Sequence, residues 1–194
     1  MTSSSVPWWA VLSSASAPVL LIGGWEVAAR RQPAGFDSTV DTISALAALD
    51  ATDRWLMTAA LVGVGIAHVV TALGLSRAAP AGRIVLGLGG VATMLVAAFP
   101  LAPDASTTAH MTVATAAFVA LAVWPALAWR RGPGPAALRP AVSSAAALVL
   151  LGLIGWFAVT LTTGDHVGLA ERVAAGAQSL WPLATVLSSR GSGR

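Results

Sequence analysis

Residues 55–76, WLMTAALVGVGIAHVVTALGLS, form an apolar run that decides the class of fold. An α-helix needs about 20 mostly apolar residues to cross the hydrocarbon core of a bilayer. This run has the required length, and His68 is its single ionisable residue. Ala59, Gly63 and Ala67 recur in it at a spacing of four, which allows close packing of helices in lipid. The pattern therefore predicts a membrane-spanning helix.

Five further apolar segments flank this run. Together they predict six spans, at about residues 7–29, 55–76, 84–102, 109–129, 141–162 and 173–189. Of the 194 residues, 56% are hydrophobic and 10% are charged, whereas soluble domains have about 25% charged residues. A soluble core does not explain this composition. We expect an all-α bundle of six transmembrane helices, forming a single domain over residues 1–189 and followed by a short polar C-terminal tail at 190–194.

Six spans place both termini on the same side of the membrane and divide the charges unequally. The side with the termini would carry seven arginines and no carboxylate, and the other side four arginines and seven carboxylates. Loops rich in Lys and Arg stay in the cytoplasm. We therefore expect a multi-pass protein of the plasma (cytoplasmic) membrane with both termini cytoplasmic. The separation of the carboxylates supports six spans independently of that rule.

The longest predicted outer connection includes residues 35–55, GFDSTVDTISALAALDATDRW. Its apolar residues Val40, Ile43, Leu46 and Ala47 share one face of a helix. Ser38 could cap this helix, with an acidic residue three positions later. We expect a short amphipathic helix on the outer face of the bundle. The carboxylates of Asp37 and Asp41 lie near the start of this helix, and two interpretations of them remain open. They cap and solvate the helix, or they join a binding site.

Further polar residues lie near the same predicted outer side. The candidates are Glu26, Asp104, His110, His166, Glu171 and Arg172. Histidines and carboxylates together permit acid–base catalysis or binding of a divalent metal. Their spacing matches no specific motif, so we predict no metal site, and a network of salt bridges and helix caps is the alternative. His68 lies inside a span, where an ionisable group is either functional or a neutral ring bonded to a neighbouring helix.

Several classes of site and partner are excluded or disfavoured. The chain has no cysteine, so disulfides and thiolate metal sites are excluded. It has no phosphate loop, nucleophile elbow or dinucleotide fingerprint, so we predict no cofactor. The arginines are scattered and form no basic stripe, which argues against nucleic acid. Glycines in the third and fifth spans favour packing within one bundle, and a homodimer or another membrane-protein partner is the alternative.

Three motifs resemble those of a known family. They are GFDSTVDTISALAA at 35–48, FPLAPD at 99–104 followed by His110 and Phe118, and GLAERV at 168–173. They are similar to motifs of the bacterial integral-membrane family called domain of unknown function 998, which in turn is similar to the eukaryotic FRAG–DRAM–SFK membrane proteins. The resemblance extends over about residues 8–189 and implies six helices with an outer polar constellation. Carried over by position, the family-like polar residues are Asp37, Asp41, Ser44, Asp104, His110, Glu171 and Arg172.

The chain departs from the family pattern at Ala45, where an acidic residue often follows Ser44. This departure weakens any proposal that the first outer loop supplies a pair of carboxylates. The eukaryotic relatives act in lipid sorting, lipid asymmetry and lipid-anchor remodelling, so the resemblance implies membrane lipids as the ligand class by analogy.

Three functional hypotheses follow. In the first, the protein binds a membrane lipid or a membrane partner through its outer acidic and histidine cluster. In the second, it is an intramembrane lipid-modifying enzyme, a hydrolase or transferase with or without a metal ion, in which Asp104 and His110 act as base and ligand and Arg172 binds phosphate. This hypothesis requires His110, Asp104 and Glu26 to converge on one cavity. In the third, it is a small transporter, which would need a polar path past His68.

Overall fold

The computed structural model describes residues 6–103 and 106–191. These residues form six long α-helices and two short 3-10 helices, and no strand occurs among them. The 3-10 helices are Ser44–Ala47 and Ala136–Leu138. The long helices are α1 (Trp8–Ala29), α2 (Trp55–Gly74), α3 (Pro80–Ala98), α4 (Thr108–Ala128), α5 (Pro140–Thr163) and α6 (Val167–Gly191).

The prediction of an all-α fold with six helices is confirmed. The last helix extends two residues into the segment that we assigned to the polar tail, and residues 192–194 of that segment lie outside the described residues.

The six helices form a closed ring. Each helix packs against its neighbours in sequence, and α6 also packs against α1. The connections α1–α2, α3–α4 and α5–α6 lie at one end, which we call the acidic end because Glu26, Asp37, Asp53, Asp165 and Glu171 lie at or near it. The opposite end, which we call the terminal end, carries the first residues of α1 and the last residues of α6.

Five of the helices, α1 to α5, are long and apolar enough to cross a membrane. The chain is therefore a multi-pass membrane protein. The sixth helix has 25 residues, so its composition rather than its length separates it from the others. It contains the buried residues Glu171, Arg172, Gln178, Ser179 and Thr185. A helix can carry such side chains within a bundle when its polar face is surrounded by protein.

Two apolar clusters form the core. The cluster near the acidic end includes Leu21, Trp25, Leu46 and Met57, and the cluster near the terminal end includes Leu75, Leu86, Trp124 and Val186. Between them, α2 and α6 bury polar residues, namely His68, Thr71, Gln178 and Ser179. Buried polar side chains therefore also lie between the two apolar clusters.

Glycines bring α2 and α3 into close contact. A Cβ atom added to Gly65 would lie 2.5 Å from the carbonyl oxygen of Gly90, and one added to Gly90 would lie 2.6 Å from that of Gly65. The expectation that small residues pack the bundle is correct at this crossing. It does not extend to Gly152 and Gly155 on α5, where an added Cβ would meet no described atom within 4 Å.

The first connection at the acidic end contains less helix than the sequence predicts. Only the 3-10 helix Ser44–Ala47 forms, although Ile43, Leu46 and Ala47 are buried as expected. Val40, the fourth residue of the predicted apolar face, is 49% exposed. The reason is that a longer helix would bond the amide of Ile43 to the carbonyl oxygen of Thr39. Instead, the amide of Ile43 donates to a carboxylate of α6, and the carbonyl of Thr39 accepts from the amide of Leu169.

Candidate functional site

The first turn of α6 is bonded to the first connection. The amides of Gly168 and Leu169 donate to the carbonyl oxygens of Val40 and Thr39, at 3.1 and 3.0 Å. The first amides of a helix have no acceptor within it, so these carbonyls provide the missing bonds. A Cβ atom on Gly168 would fall against the backbone oxygens of Ser38 and Asp41. Glycine is therefore required for this close approach.

Arg172 continues the same contact from one turn further along α6. Its side chain is buried, with 9% exposure, and its Nη1 donates to the carbonyl oxygens of Ser38 and Asp41, both at 2.7 Å. A third bond at 3.1 Å runs to the carbonyl oxygen of Gly168. The Nε and Nη2 atoms are buried and have no hydrogen-bond partner among the described residues. The guanidinium thus holds the backbone of the connection.

Glu171, the preceding residue, reaches a different part of the connection. Its carboxylate is 4% exposed and accepts a short hydrogen bond from the amide of Ile43. The hydroxyl of Ser44 donates to its other oxygen at 3.4 Å. Ile43 directly precedes the 3-10 helix, so Glu171 caps a helix that lies more than a hundred residues away in the chain.

Glu171 also faces a cleft between α4 and α5, which we call the α4–α5 cleft. The cleft has a volume of about 250 Å³, and its polar end is formed by Thr42, Ser44, His110 and Glu171. The walls of the remainder are apolar and include Phe118, Val119, Ile154, Phe157 and Leu161.

The cleft opens sideways between the two helices. Met111 and Val119 on α4 and Leu161 on α5 line it, and each is more than 40% exposed. The rings of Phe118 and Phe157 meet with their centroids 5.4 Å apart. Because α4 and α5 are both apolar enough to cross a membrane, this opening faces the hydrocarbon of a bilayer.

His110 is fixed in the wall of the cleft. It is buried, and its Nδ1 lies 2.8 Å from the carbonyl oxygen of Phe99. A carbonyl only accepts hydrogen bonds, so Nδ1 carries the hydrogen. In the neutral ring this leaves Nε2 as an acceptor. His110 therefore offers the cleft a second acceptor besides Glu171.

A smaller cavity lies deeper in the bundle, and we call it the interior cavity. It has a volume of about 60 Å³, and His68, Thr93, Gln178 and Ser179 contribute its polar atoms together with residues of the cleft. Ser44, Phe118 and Glu171 line both spaces. A water molecule needs roughly 10–15 Å³, so the interior cavity has room for a few. Glu171 thus lies where the cleft and the interior cavity meet.

His68 is buried in this cavity without a complete set of hydrogen bonds. It is 1% exposed, and its Nδ1 has no hydrogen-bond partner among the described residues. The sequence allows a neutral ring bonded to a neighbouring helix, and no described residue makes such a bond to Nδ1. The nearby amide of Gln178 donates to the carbonyl oxygen of Phe118 at 2.9 Å, which links α6 to α4.

Several predicted residues do not join the cleft. The carboxylate of Glu26 is 57% exposed and lies 3.8 Å from Arg30. His166 is exposed on the α5–α6 connection. Asp104 lies outside the described residues. The enzyme hypothesis required His110 and Glu26 to converge on one cavity, and they do not. No group of three potential metal ligands occurs in the described part of the chain.

Asp37 and Asp41 organise the turn that precedes the 3-10 helix. Asp37 accepts from both the amide and the hydroxyl of Thr39 at 2.8 Å, and Asp41 accepts from the amide of Asp37 at 2.8 Å. The bond from the Thr39 amide is the main cause that lowers the pKa of Asp37 below its usual value. Asp37, rather than Ser38, is thus the residue that caps this turn, while the carbonyl of Ser38 binds Arg172.

Sequence reasoning missed the contributions of Thr42, Phe157, Gln178 and Ser179. A signal for α6 was present in the chain. Glu171, Gln178 and Thr185 recur every seven residues in a segment that is otherwise apolar or small apart from Arg172, and a spacing of seven places them on one face of a helix. The aromatic wall from α5 carries no comparable signal, because any lipid-facing helix has such residues.

Comparison with family models shows which protein family the chain belongs to. A family model described as "Protein of unknown function (DUF998)" matches residues 14–188. This match covers most of the chain, which therefore belongs to that family, in agreement with the resemblance of its motifs. Neither the curated proteins nor the solved structures include a match to the chain.

Proposed function

We propose that this member of the DUF998 family binds a membrane lipid in the α4–α5 cleft. The observation that carries the proposal is the division of the cleft into an apolar part that opens sideways and a polar end with Ser44, His110 and Glu171. A lipid has the same division between its chain and its head group. The volume of about 250 Å³ exceeds the roughly 150 Å³ that suffices for benzene in an engineered cavity.

The two parts of the cleft have different roles in this proposal. Lipid chains are as apolar as leucine, so the hydrophobic effect contributes little when a chain moves from bilayer to cleft. The aromatic wall therefore supplies shape and dispersion contacts. Selectivity comes from the polar end, because hydrogen bonds are stronger where water is scarce.

The proposal includes an orientation in the membrane. Six arginines, and no carboxylate, belong to the described terminal end: Arg77, Arg83, Arg130, Arg131, Arg139 and Arg190. The distribution of positive charge favours a plasma-membrane protein with both termini in the cytoplasm. The polar end of the cleft then lies at the level of the outer leaflet. The helix α6 crosses with the other five, since it packs against both α1 and α5 in the ring.

Native mass spectrometry of protein released gently from mild detergent tests the binding proposal. Ala158 lines the cleft on α5, and Ala158→Phe should fill it. We expect a retained lipid on the wild type and its loss from Ala158→Phe. The matched control is Ala116→Phe, an exposed position on α4 that does not line the cleft. Wild-type protein without lipid, or equal retention in Ala158→Phe, would contradict the proposal.

A lipid-modifying enzyme is the second candidate. The observation that favours it is that a hydroxyl, an imidazole and a carboxylate line the same cleft, in Ser44, His110 and Glu171. A hydroxyl and an imidazole are the groups that acyl transfer uses as nucleophile and base, and here the carbonyl of Phe99 orients the imidazole while Glu171 accepts from Ser44. Incubation with diacyl lipids, followed by mass spectrometry of the lipids, separates the candidates. Turnover by the wild type that Ser44→Ala abolishes would support the enzyme, and unchanged lipids would support binding alone.

A further inference from the structure

We infer that the α4–α5 cleft selects lipids whose head group donates hydrogen bonds and carries no negative charge, that is, a hydroxyl or an ammonium group. The inference rests on the proposed function, since it names the chemistry of the lipid that the cleft would bind. It follows from the acceptors and charges at the polar end.

The polar end of the cleft is rich in acceptors. Glu171 presents a carboxylate that is 4% exposed, and its weakest contact, from the hydroxyl of Ser44, is long at 3.4 Å. His110 has its Nδ1 hydrogen committed to Phe99, which leaves Nε2 to accept. The hydroxyls of Thr42 and Ser44 can donate or accept. A ligand that donates hydrogen bonds can bond to Glu171 and to Nε2 of His110, whereas a ligand that only accepts can bond only to the hydroxyls.

The cleft contains no positive side chain that would bind an anion. Among its described lining residues, Glu171 and His110 are the only ones that titrate. Arg172 follows Glu171 in the chain, but its Nη1 is bonded to three backbone carbonyls, and it does not line the cleft. The phosphate-binding role that the sequence suggested for Arg172 therefore has no counterpart in this space.

Glu171 disfavours an anionic head group in either of its protonation states. When it is ionised, a second negative charge in the cleft is repelled, and the low dielectric of the surroundings strengthens the repulsion. When it is protonated, it offers a single neutral donor, and an anion in the cleft still lacks the positive charge that would offset its desolvation. An ammonium pairs with the ionised form, and a hydroxyl can bond to either form.

Amphiphiles with one chain and different head groups provide the test. Oleylamine, oleyl alcohol and oleic acid share the same hydrocarbon chain and differ in charge. We expect native mass spectrometry titrations to show that the amine and the alcohol bind at least about tenfold more tightly than the acid. Preference for the amine would indicate pairing with an ionised carboxylate, and equal binding of amine and alcohol would indicate hydrogen bonding alone. Both results support the inference.

Two variants test the cause of the selectivity. Glu171→Gln keeps an acceptor for the amide of Ile43 but removes the charge, so discrimination against the acid should fall severalfold. Thr115→Arg adds a cation to the cleft about two turns from the start of α4, from where the long side chain can reach the interface, and should make the acid bind as tightly as the amine. Wild-type binding of the acid that equals or exceeds binding of the amine and the alcohol would overturn the inference while leaving the proposed function intact. Absence of binding by all three would overturn the proposed function and the inference with it.

Discussion

Glu171 and Arg172 are consecutive residues of α6 that contact opposite parts of the first connection. Successive residues of an α-helix point about 100° apart, so one side chain reaches the cleft while the other reaches the loop backbone. Burial of an isolated charge is costly. For Arg172 that cost is offset by three carbonyl acceptors and by the carboxylate charges around it. The pair therefore fixes the polar end of the cleft to the start of α6.

The contribution of Arg172 can be measured by substitution. In Arg172→Gln, the carbonyls of Ser38 and Asp41 lose their charged donor, and each such bond is worth about 1.5–3 kcal/mol. We expect the connection to open more readily, by roughly 2–4 kcal/mol, while the transmembrane helices stay folded. Hydrogen exchange of peptides covering residues 36–48 provides the measurement.

Arg30→Gln is the matched control for that experiment. Arg30 lies at the same end of the bundle, but its side chain is 79% exposed and its contact with Glu26 is long. An exposed ion pair of this kind contributes about 0–1 kcal/mol, so exchange should stay close to that of the wild type. Equal exchange in Arg172→Gln and Arg30→Gln would show that the guanidinium does not hold the connection.

The helices α1 to α5 were predictable because each is encoded locally, as an apolar run of sufficient length. The first connection was only partly predictable. Its apolar residues Ile43, Leu46 and Ala47 face inward as their spacing indicates, but the helix begins only at Ser44, because Glu171 takes the amide of Ile43. No pattern within residues 35–55 could reveal a partner from the other end of the chain.

The candidate site was predicted in composition but not in arrangement. Charge counting placed Glu26, His110, His166 and Glu171 near one end of the bundle. It could not show that Glu26 and His166 are exposed, or that His110 and Glu171 are buried beside one cleft. All four residues lie near the end of a helix, and burial at a helix end depends on which neighbouring segment covers the residue.

The α2–α3 crossing depends on the absence of side chains at two glycines. An alanine in place of a helical glycine normally stabilises a helix by about 0.5–1 kcal/mol. At Gly65 the added methyl would lie 2.5 Å from both the carbonyl oxygen of Gly90 and the Cγ of Met94, and 3.2 Å from the amide nitrogen of Met94. The helices must separate to admit it, and overpacking of this kind costs roughly 1–3 kcal/mol. We expect Gly65→Ala to lower the Tm of the protein in detergent.

Gly152→Ala is the control for that substitution. It introduces the same methyl group into α5, where an added Cβ would meet no described atom within 4 Å. Only the gain in helix propensity then applies, so the Tm should be unchanged or slightly higher. A Gly65→Ala variant as stable as Gly152→Ala would show that the α2–α3 crossing tolerates a wider separation than its geometry indicates.

For the whole molecule, the ring of helices explains why a cleft forms between α4 and α5. The α4–α5 contact is less extensive than those of α2 with α3 and of α3 with α4. Glycines of α1, α2 and α3 bring those helices close to their neighbours, whereas the glycines of α5 face outward. Few residues of α5 are buried, so most of its surface faces lipid. The ring is therefore packed less tightly at the α4–α5 seam, where the cleft opens, than on either side of α3.

The proposed orientation of the ring predicts which of its ends faces the outside of the cell. The chain has no cysteine, so a single introduced cysteine is the only thiol in each variant. Asp50→Cys places it at the acidic end and Gly134→Cys at the terminal end, both at exposed positions. With the termini in the cytoplasm, a membrane-impermeant maleimide on intact cells should label Asp50→Cys and should label Gly134→Cys only after lysis. The reverse pattern would place the polar end of the cleft at the cytoplasmic leaflet, and labelling of both before lysis would indicate that the protein inserts in two orientations.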